Sequence, residues 1–182
     1  MDYKEAAAKY QGKLWLGEIK GHAGDPDYID ESKLVKVNSG EFSKLIEPAA
    51  KSFLRMVQAT NNQPSMALGN KTYRPIGLEL EICNDPKNKG KRTPTSRNPN
   101  GDWCDGVNKA KPGNSIHGWG RAVDFQIILS AVGLNQIPSE GTAARKLYDW
   151  LCQNALDYGW VNYLAEAWHW EYVGEPPGKY VN

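Results

Sequence analysis

Ser115-Ile116-His117-Gly118-Trp119-Gly120-Arg121-Ala122-Val123-Asp124 is the stretch on which the fold turns, and Glu166-Ala167-Trp168-His169-Trp170-Glu171 is its complement. The chain has only three histidines, and two of them lie here. His117 and Asp124 are seven residues apart, which is not the i, i+4 spacing of a helical H-E-x-x-H site. Gly118 and Gly120 permit a turn between them, after which Asp124 points back from a strand toward His117. His169 then comes from a neighbouring strand. A catalytic zinc ion takes three protein ligands and keeps one position open, and His117, Asp124 and His169 supply two imidazoles and a carboxylate. Such a site also needs a base, and Glu166 is the candidate. Residues three apart on a flat strand face opposite ways, so Glu166 must sit on a bend before the strand that holds His169. Residues 159–165 leave room for that bend. A lone strand histidine is more often a core or surface residue than a ligand. Against that stands the cost of an unpaired Asp124 in an apolar strand, and the oddness of His169 between two tryptophans without a partner. On the residues alone, both the metal site and the packed alternative stay open.

Outward from these segments, residues 42–59 predict a helix. Phe42, Leu45, Ile46, Ala49, Phe53, Met56 and Val57 recur at three- and four-residue steps, Ser39 is a plausible cap, and Asn61 to Pro64 ends it. Residues 65–74 read as extended chain closing on Pro75. Residues 83–114 read as a long polar loop rich in Asn, Lys, Pro and Gly. Residues 122–128 predict a strand, residues 143–158 a second amphipathic helix stopped by Gly159, and residues 168–173 a last strand before Pro176-Pro177-Gly178. Helices and strands mix without a βαβ rhythm, so the expected class is α+β, a small antiparallel sheet flanked by helices. One domain spanning 1–182 is expected, with 1–33 an N-terminal extension and about 34–173 the core.

The bulk numbers narrow the function classes. The 182 residues suffice for one domain with a real core. A formal net charge of +1 gives no basic field of the kind that binds nucleic acid. The 40% hydrophobic content fits a globular chain. Seven Trp and nine Tyr would suit a polar groove, with core packing the plainer alternative. The three cysteines, Cys83, Cys104 and Cys152, form no C-x-x-C, so neither a zinc ribbon nor a disulfide framework is indicated; reduced thiols are expected, with a Cys83–Cys104 bridge as the minor alternative. The N-terminus lacks the basic and apolar regions of a secretory signal, and no apolar run is long enough to span a membrane. A chain made in the cytoplasm, monomeric and without membrane insertion is expected. His22 reads as a loop residue.

The two segments resemble the signatures of the VanY-type D-alanyl-D-alanine carboxypeptidases, a group of zinc peptidases that also holds VanX dipeptidases and phage L-alanyl-D-glutamate endolysins. Ser115, His117, Gly120, Ala122 and Asp124 match every fixed position of S-x-H-x-x-G-x-A-x-D, with Pro112-Gly113 upstream. Glu166, Trp168 and His169 match E-x-W-H, and Glu171-Tyr172-Val173 continues it. A weaker third feature, G-Y-R-S followed by Gln, is met only at Tyr73 and Arg74, with Thr72 and Pro75 departing and Glu79 about where the Gln stands. The resemblance runs from about Leu34 to Val173 and implies the VanY/VanX-like fold. It implies one Zn2+ on His117, Asp124 and His169, with Glu166 as general base. Arg74 would bind the substrate carbonyl or carboxylate; Ser115, Tyr73 and Trp168 would contact substrate, with Ser115 bonding its own turn as the structural alternative. Trp119 and Trp170 are further groove candidates, packing being the stronger role for Trp170. The implied substrate is the peptide stem of peptidoglycan, cut as by a D-Ala-D-Ala carboxypeptidase. The missing signal suits a phage endolysin released through a holin, in which L-alanyl-D-glutamate cleavage is the alternative. The rival from another class is a non-catalytic wall-binding or virion protein with a structural metal. Lys87, Lys89, Lys91, Arg92 and Arg97 read as a solvated loop that could meet anionic wall polymers.

Overall fold

The computed structural model describes residues 2–10, 29–69, 72–84 and 115–174. The first element is helix α1 (Tyr3–Tyr10). Asp2 Oδ1 accepts from Glu5 N at 2.8 Å while Glu5 Oε2 accepts from Asp2 N at 3.1 Å, a reciprocal cap that satisfies two otherwise orphaned donors. Ala6 and Ala7 of α1 are buried. Strand β1 (Val35–Lys36) pairs antiparallel with β2 (Lys44–Leu45). Helix α2 (Glu47–Thr60) follows at once.

The helix expected over residues 42–59 therefore starts later, and Ser39 does not cap it. Pairing with β1 holds Lys44 and Leu45 extended. Pro48 fits the first helical turn, where its missing N–H costs nothing. Ile46 is the N-cap residue without a side-chain cap, and its own N–H donates to Gly120 O at 2.9 Å. Asn61 closes α2 in the left-handed region at φ 47°.

Between α2 and Pro75 the described residues make one bridge, Leu68 to Phe125, and no strand among them. Helix α3 (Ile76–Asn84) then covers Cys83 and Asn84, which the sequence had assigned to the polar loop. Its first turn closes where Pro75 O accepts from Glu79 N at 3.1 Å. His22, Cys104, the basic residues of the loop and the Pro176-Pro177-Gly178 stop lie outside the described residues, so the Cys83–Cys104 alternative does too; Cys152 is a free thiol.

Strand β3 (Ala122–Asp124) is shorter than the strand expected over residues 122–128. Phe125 O accepts from Ile128 N and Leu129 N, and helix α4 (Gln126–Leu129) begins there. A short apolar run does not distinguish strand from helix, and burial of Phe125 with Ile128 selects the three-residue step. Helix α5 (Ala143–Asn154) is capped by Thr142 Oγ1, which accepts from Arg145 N at 3.1 Å. It continues as a 3-10 turn (Ala155–Tyr158) to Gly159 at φ 80°. Strands β4 (Trp160–Asn162) and β5 (His169–Tyr172) complete a three-stranded antiparallel sheet in the order β3-β5-β4.

The core lies between this sheet and the helices. Ala49, Ala50, Phe53 and Met56 of α2 meet Val123, Phe125, Trp160 and Trp170 from the sheet side, and Ala144, Leu147 and Leu151 of α5 close it. Trp160 Nε1 donates to Ser52 Oγ at 2.9 Å, so the Ser52 hydroxyl on the inner face of α2 is satisfied. Among the described residues, no helix is long and apolar enough to cross a membrane.

One glycine ties the fold to the site. Gly120, at φ 63°, ends the 3-10 turn Ile116–Trp119 that carries His117. A Cβ there would meet Leu34 Cδ2 at 3.1 Å and Ile46 N at 3.2 Å. Gly120→Ala should lower stability by at least about 1 kcal/mol, from left-handed strain and crowding against the Ile46 backbone. Urea unfolding measures this, and a variant as stable as the parent would contradict it.

Candidate metal centre

The sheet register brings the first two side chains together. Asp124 of β3 lies directly opposite His169 of β5, a cross-strand position in which side chains on one face touch. The third arrives from the 3-10 turn before β3. His117 Nε2 lies 3.1 Å from His169 Nδ1 and 3.4 Å from Asp124 Oδ1, and His169 Nδ1 lies 3.0 Å from the same oxygen. His117 is 1% exposed. These three form the group, among the described residues, whose donor atoms converge as metal ligands do.

The outer partners decide which atoms face inward. His117 Nδ1 lies 2.8 Å from Thr72 O, an acceptor only, so the ring donates there and turns the lone pair of Nε2 to the centre. His169 Nε2 faces Glu171 Oε1 at 3.4 Å, which places its N–H outward and the lone pair of Nδ1 inward. Two imidazole lone pairs and a carboxylate oxygen thus point at one another in a buried space. Such a set is repulsive until a cation or a proton sits among them. A tetrahedral zinc ion with bonds of about 2.0–2.1 Å sets its ligand atoms about 3.3 Å apart, so the residues fit the ion that the motif implies.

Protonation follows the same geometry. Burial and the nearby Arg74 charge push His117 down, toward the neutral form. Burial also opposes charge on His169, but Asp124 and Glu171 overcome it and raise that ring. Burial acts upward on Asp124 too, and the two imidazoles nonetheless hold it well below the usual carboxylate range. A lone proton in this cluster therefore rests on His169 beside an ionised Asp124, where a cation would otherwise be.

The remaining predicted residues fall into two groups. Glu166 sits in the turn between β4 and β5, as its spacing from His169 required: its N–H donates to Tyr163 O at 2.8 Å and its carbonyl accepts from His169 N at 2.9 Å. Burial raises its carboxyl, with the charges of His169 and Arg74 pulling the other way. Trp168, half-buried, interacts with that carboxyl. Arg74 Nη2 donates to Ser115 Oγ at 3.1 Å, so Ser115 anchors the guanidinium rather than its own turn. The Arg74 backbone N–H reaches His117 O at 3.4 Å. By contrast, the Tyr73 ring is 1% exposed, and burial with the neighbouring Glu31 carboxylate raises its phenol. It offers substrate no open surface and instead packs the chain beside Arg74. Trp119 and Trp170 are buried as well and do not wall a groove.

Four participants escaped the sequence. Glu171 shares a strand face with His169, a two-residue spacing that could have revealed it. The Thr72 contact is a main-chain carbonyl and leaves no residue signature. Asn162, 1% exposed, donates from Nδ2 to Glu166 O at 3.1 Å and to His169 O at 2.9 Å, which locks the turn. Tyr163, 40% exposed, sets its ring edge-on to His169 with centroids 6.0 Å apart.

Comparison with known proteins follows this geometry. The family profile described as VanY, D-alanyl-D-alanine carboxypeptidase, matches residues 43–175. The chain belongs to the VanY family. It is accordingly a hydrolytic enzyme, a peptidase of the VanY kind. No curated protein matches it by sequence. Its fold is that of VanY-like peptidases. A mutant of the D,D-pentapeptidase VanY from the VanB-type resistance cassette, in complex with Zn(II), aligns with TM-score 0.52 at 22% identity over 78% of each chain. The LdcB LD-carboxypeptidase aligns with TM-score 0.55 at 23% identity, over 82% of this chain and 72% of its own. The D,D-dipeptidase VanXYg, in complex with a D-Ala-D-Ala phosphinate analogue, aligns with TM-score 0.54 at 17% identity, over 87% of this chain and 65% of its own.

In this VanY-family protein, His117→Ala should abolish stoichiometric metal binding, and Glu171→Gln should weaken it about 10–100-fold by replacing the carboxylate behind the outer nitrogen of His169 with a neutral acceptor. Chelator competition with elemental analysis measures both. Unchanged affinity in Glu171→Gln would remove that carboxylate from the account.

Proposed function

We propose that the protein is a zinc-dependent peptidase that hydrolyses the peptide stem of bacterial peptidoglycan, with the D-Ala-D-Ala bond as first candidate and action during phage-type lysis as its setting. One observation carries this most: three ligand atoms converge beside a turn that presents Glu166, a carboxyl outside the ligand set. A purely structural zinc site is closed by protein ligands and has no use for a neighbouring base, which weighs against the non-catalytic alternative.

His117, Asp124 and His169 would hold the ion, which supplies Lewis acidity toward the scissile carbonyl and makes water more acidic. Glu166 takes a proton from the attacking water and delivers it to the leaving amine, a task that suits a carboxyl raised by burial. Arg74, always charged and fixed by Ser115, meets the carbonyl oxygen as negative charge develops on it. Asn162 holds the turn so that Glu166 keeps its distance from His169. Half-buried Trp168 and exposed Tyr163 are the aromatic side chains beside Glu166 and His169 that substrate could reach.

Digestion of purified sacculi, followed by mass spectrometry of the fragments, tests the proposal. Release of D-Ala, or a new free amine on D-Glu, should stop with chelator and return with zinc, and the fragment names the bond. No fragments under any metal condition would overturn it. Glu166→Ala should keep its zinc and lose turnover, whereas normal hydrolysis by that variant would remove Glu166 as the base. Arg74→Ala should cost on the order of a hundredfold or more in kcat.

A further inference from the structure

A polar cavity lies away from the metal centre. His169 and Glu171 share one face of β5, so Trp170 and Tyr172 share the other. The Tyr172 ring packs on Trp160 with centroids 5.4 Å apart. Tyr172 also lines a cavity of about 340 Å³, together with Glu47, Pro48, Lys51 and Arg55. Glu47, Lys51 and Arg55 follow one another at four-residue steps along α2 and so form one row on its surface.

The charge here is mostly positive. Lys51 Nζ lies 2.6 Å from Glu47 Oε1, an exposed pair. Arg55 lines the cavity as well, and Arg121, whose carbonyl accepts from Tyr172 N at 2.7 Å, brings a second guanidinium close. Burial raises the Tyr172 phenol, and the charges of Arg55 and Arg121 pull the other way. Tyr172 is 6% exposed, yet among the described residues no group hydrogen-bonds its hydroxyl. A tyrosine buried to that degree ordinarily finds a partner. An unused neutral donor and two guanidinium groups therefore meet at one cavity.

We propose that this cavity is an anion site that takes a phosphate group, supplied as the phosphodiester of an anionic cell-wall polymer. The donors lie on two walls, Lys51 and Arg55 on α2 and Tyr172 on β5. The oxygens of a tetrahedral phosphate point in several directions and meet both walls, whereas a flat carboxylate meets one. Guanidinium groups bind phosphate through paired, charge-assisted hydrogen bonds. The volume leaves room for the groups on either side of a phosphodiester. The polymer as source rests on the peptidase reading above, because an enzyme that acts on peptidoglycan meets such polymers; the anion site itself does not. Since His169 and Tyr172 face opposite sides of β5, an occupant of the cavity tethers the protein and leaves the metal centre open.

Isothermal titration calorimetry on the full chain tests this without any turnover, with poly(glycerol phosphate), inorganic phosphate and poly-D-glutamate as probes. Poly(glycerol phosphate) should bind about tenfold more tightly than poly-D-glutamate of equal charge. Arg55→Gln should weaken that binding about tenfold, and Tyr172→Phe, which changes no charge, about fivefold. If Arg55→Gln folds poorly, Lys51→Gln, at a side chain 67% exposed, reads the loss of a cation instead. Unchanged binding in Tyr172→Phe or in the cation variant would overturn the site, as would equal affinity for the two polymers. Inorganic phosphate binding as tightly as poly(glycerol phosphate) would overturn the polymer as its source. Digestion of sacculi reads the peptidase separately, so either reading fails without the other.

Discussion

Two imidazole lone pairs and a carboxylate oxygen, within 3.4 Å of one another and largely buried, constitute the interaction on which the rest depends. A set of acceptors facing acceptors is repulsive until a proton or a cation sits among them. It is held together by the fold and relieved by a cation. Each structural feature around it keeps the lone pairs inward: the Thr72 carbonyl on His117, the Glu171 carboxylate on His169, and the β3–β5 register that puts Asp124 across from His169. The helices α2 and α5 enter by fixing the sheet, whose inner residues Val123 and Trp170 they cover.

A second consequence concerns charge. Four carboxyl groups near one guanidinium concentrate acid in this part of the molecule, and position distinguishes them. Asp124 faces the two imidazoles, Glu171 stands behind His169, Glu166 sits in a turn where burial raises its affinity for protons, and Glu79 lies near Arg74. Under the proposed function, similar side chains in one site would serve binding, orientation and proton transfer, and environment alone separates them.

Much of this was legible in the sequence, and the parts that were not share a physical cause. His117, Asp124 and His169 could be read because ligand chemistry restricts residue types, and Glu166 because a strand's two-residue period demanded a bend before His169. The helix over residues 143–158 was readable from its apolar stripe and Gly159. Residues 122–128 misled because their apolar run suits either period, and only contact between Phe125, Ile128 and the core chose the helix. Helix α2 began late because pairing of Lys44 and Leu45 with β1, a long-range event, overrode local periodicity. Tyr73 was taken for a substrate contact on its motif position, yet burial removes its ring from reach. The Thr72 carbonyl and the Asn162 bridge depend on main-chain placement, which no single residue type announces.

The most direct test is X-ray absorption on zinc-loaded protein, with the ion counted per chain. One ion bound by two imidazoles, one carboxylate and an oxygen not supplied by the protein is the expected result. An ion closed by four protein ligands, or sulfur in its coordination shell, or no stoichiometric binding, would contradict a catalytic centre built from His117, Asp124 and His169.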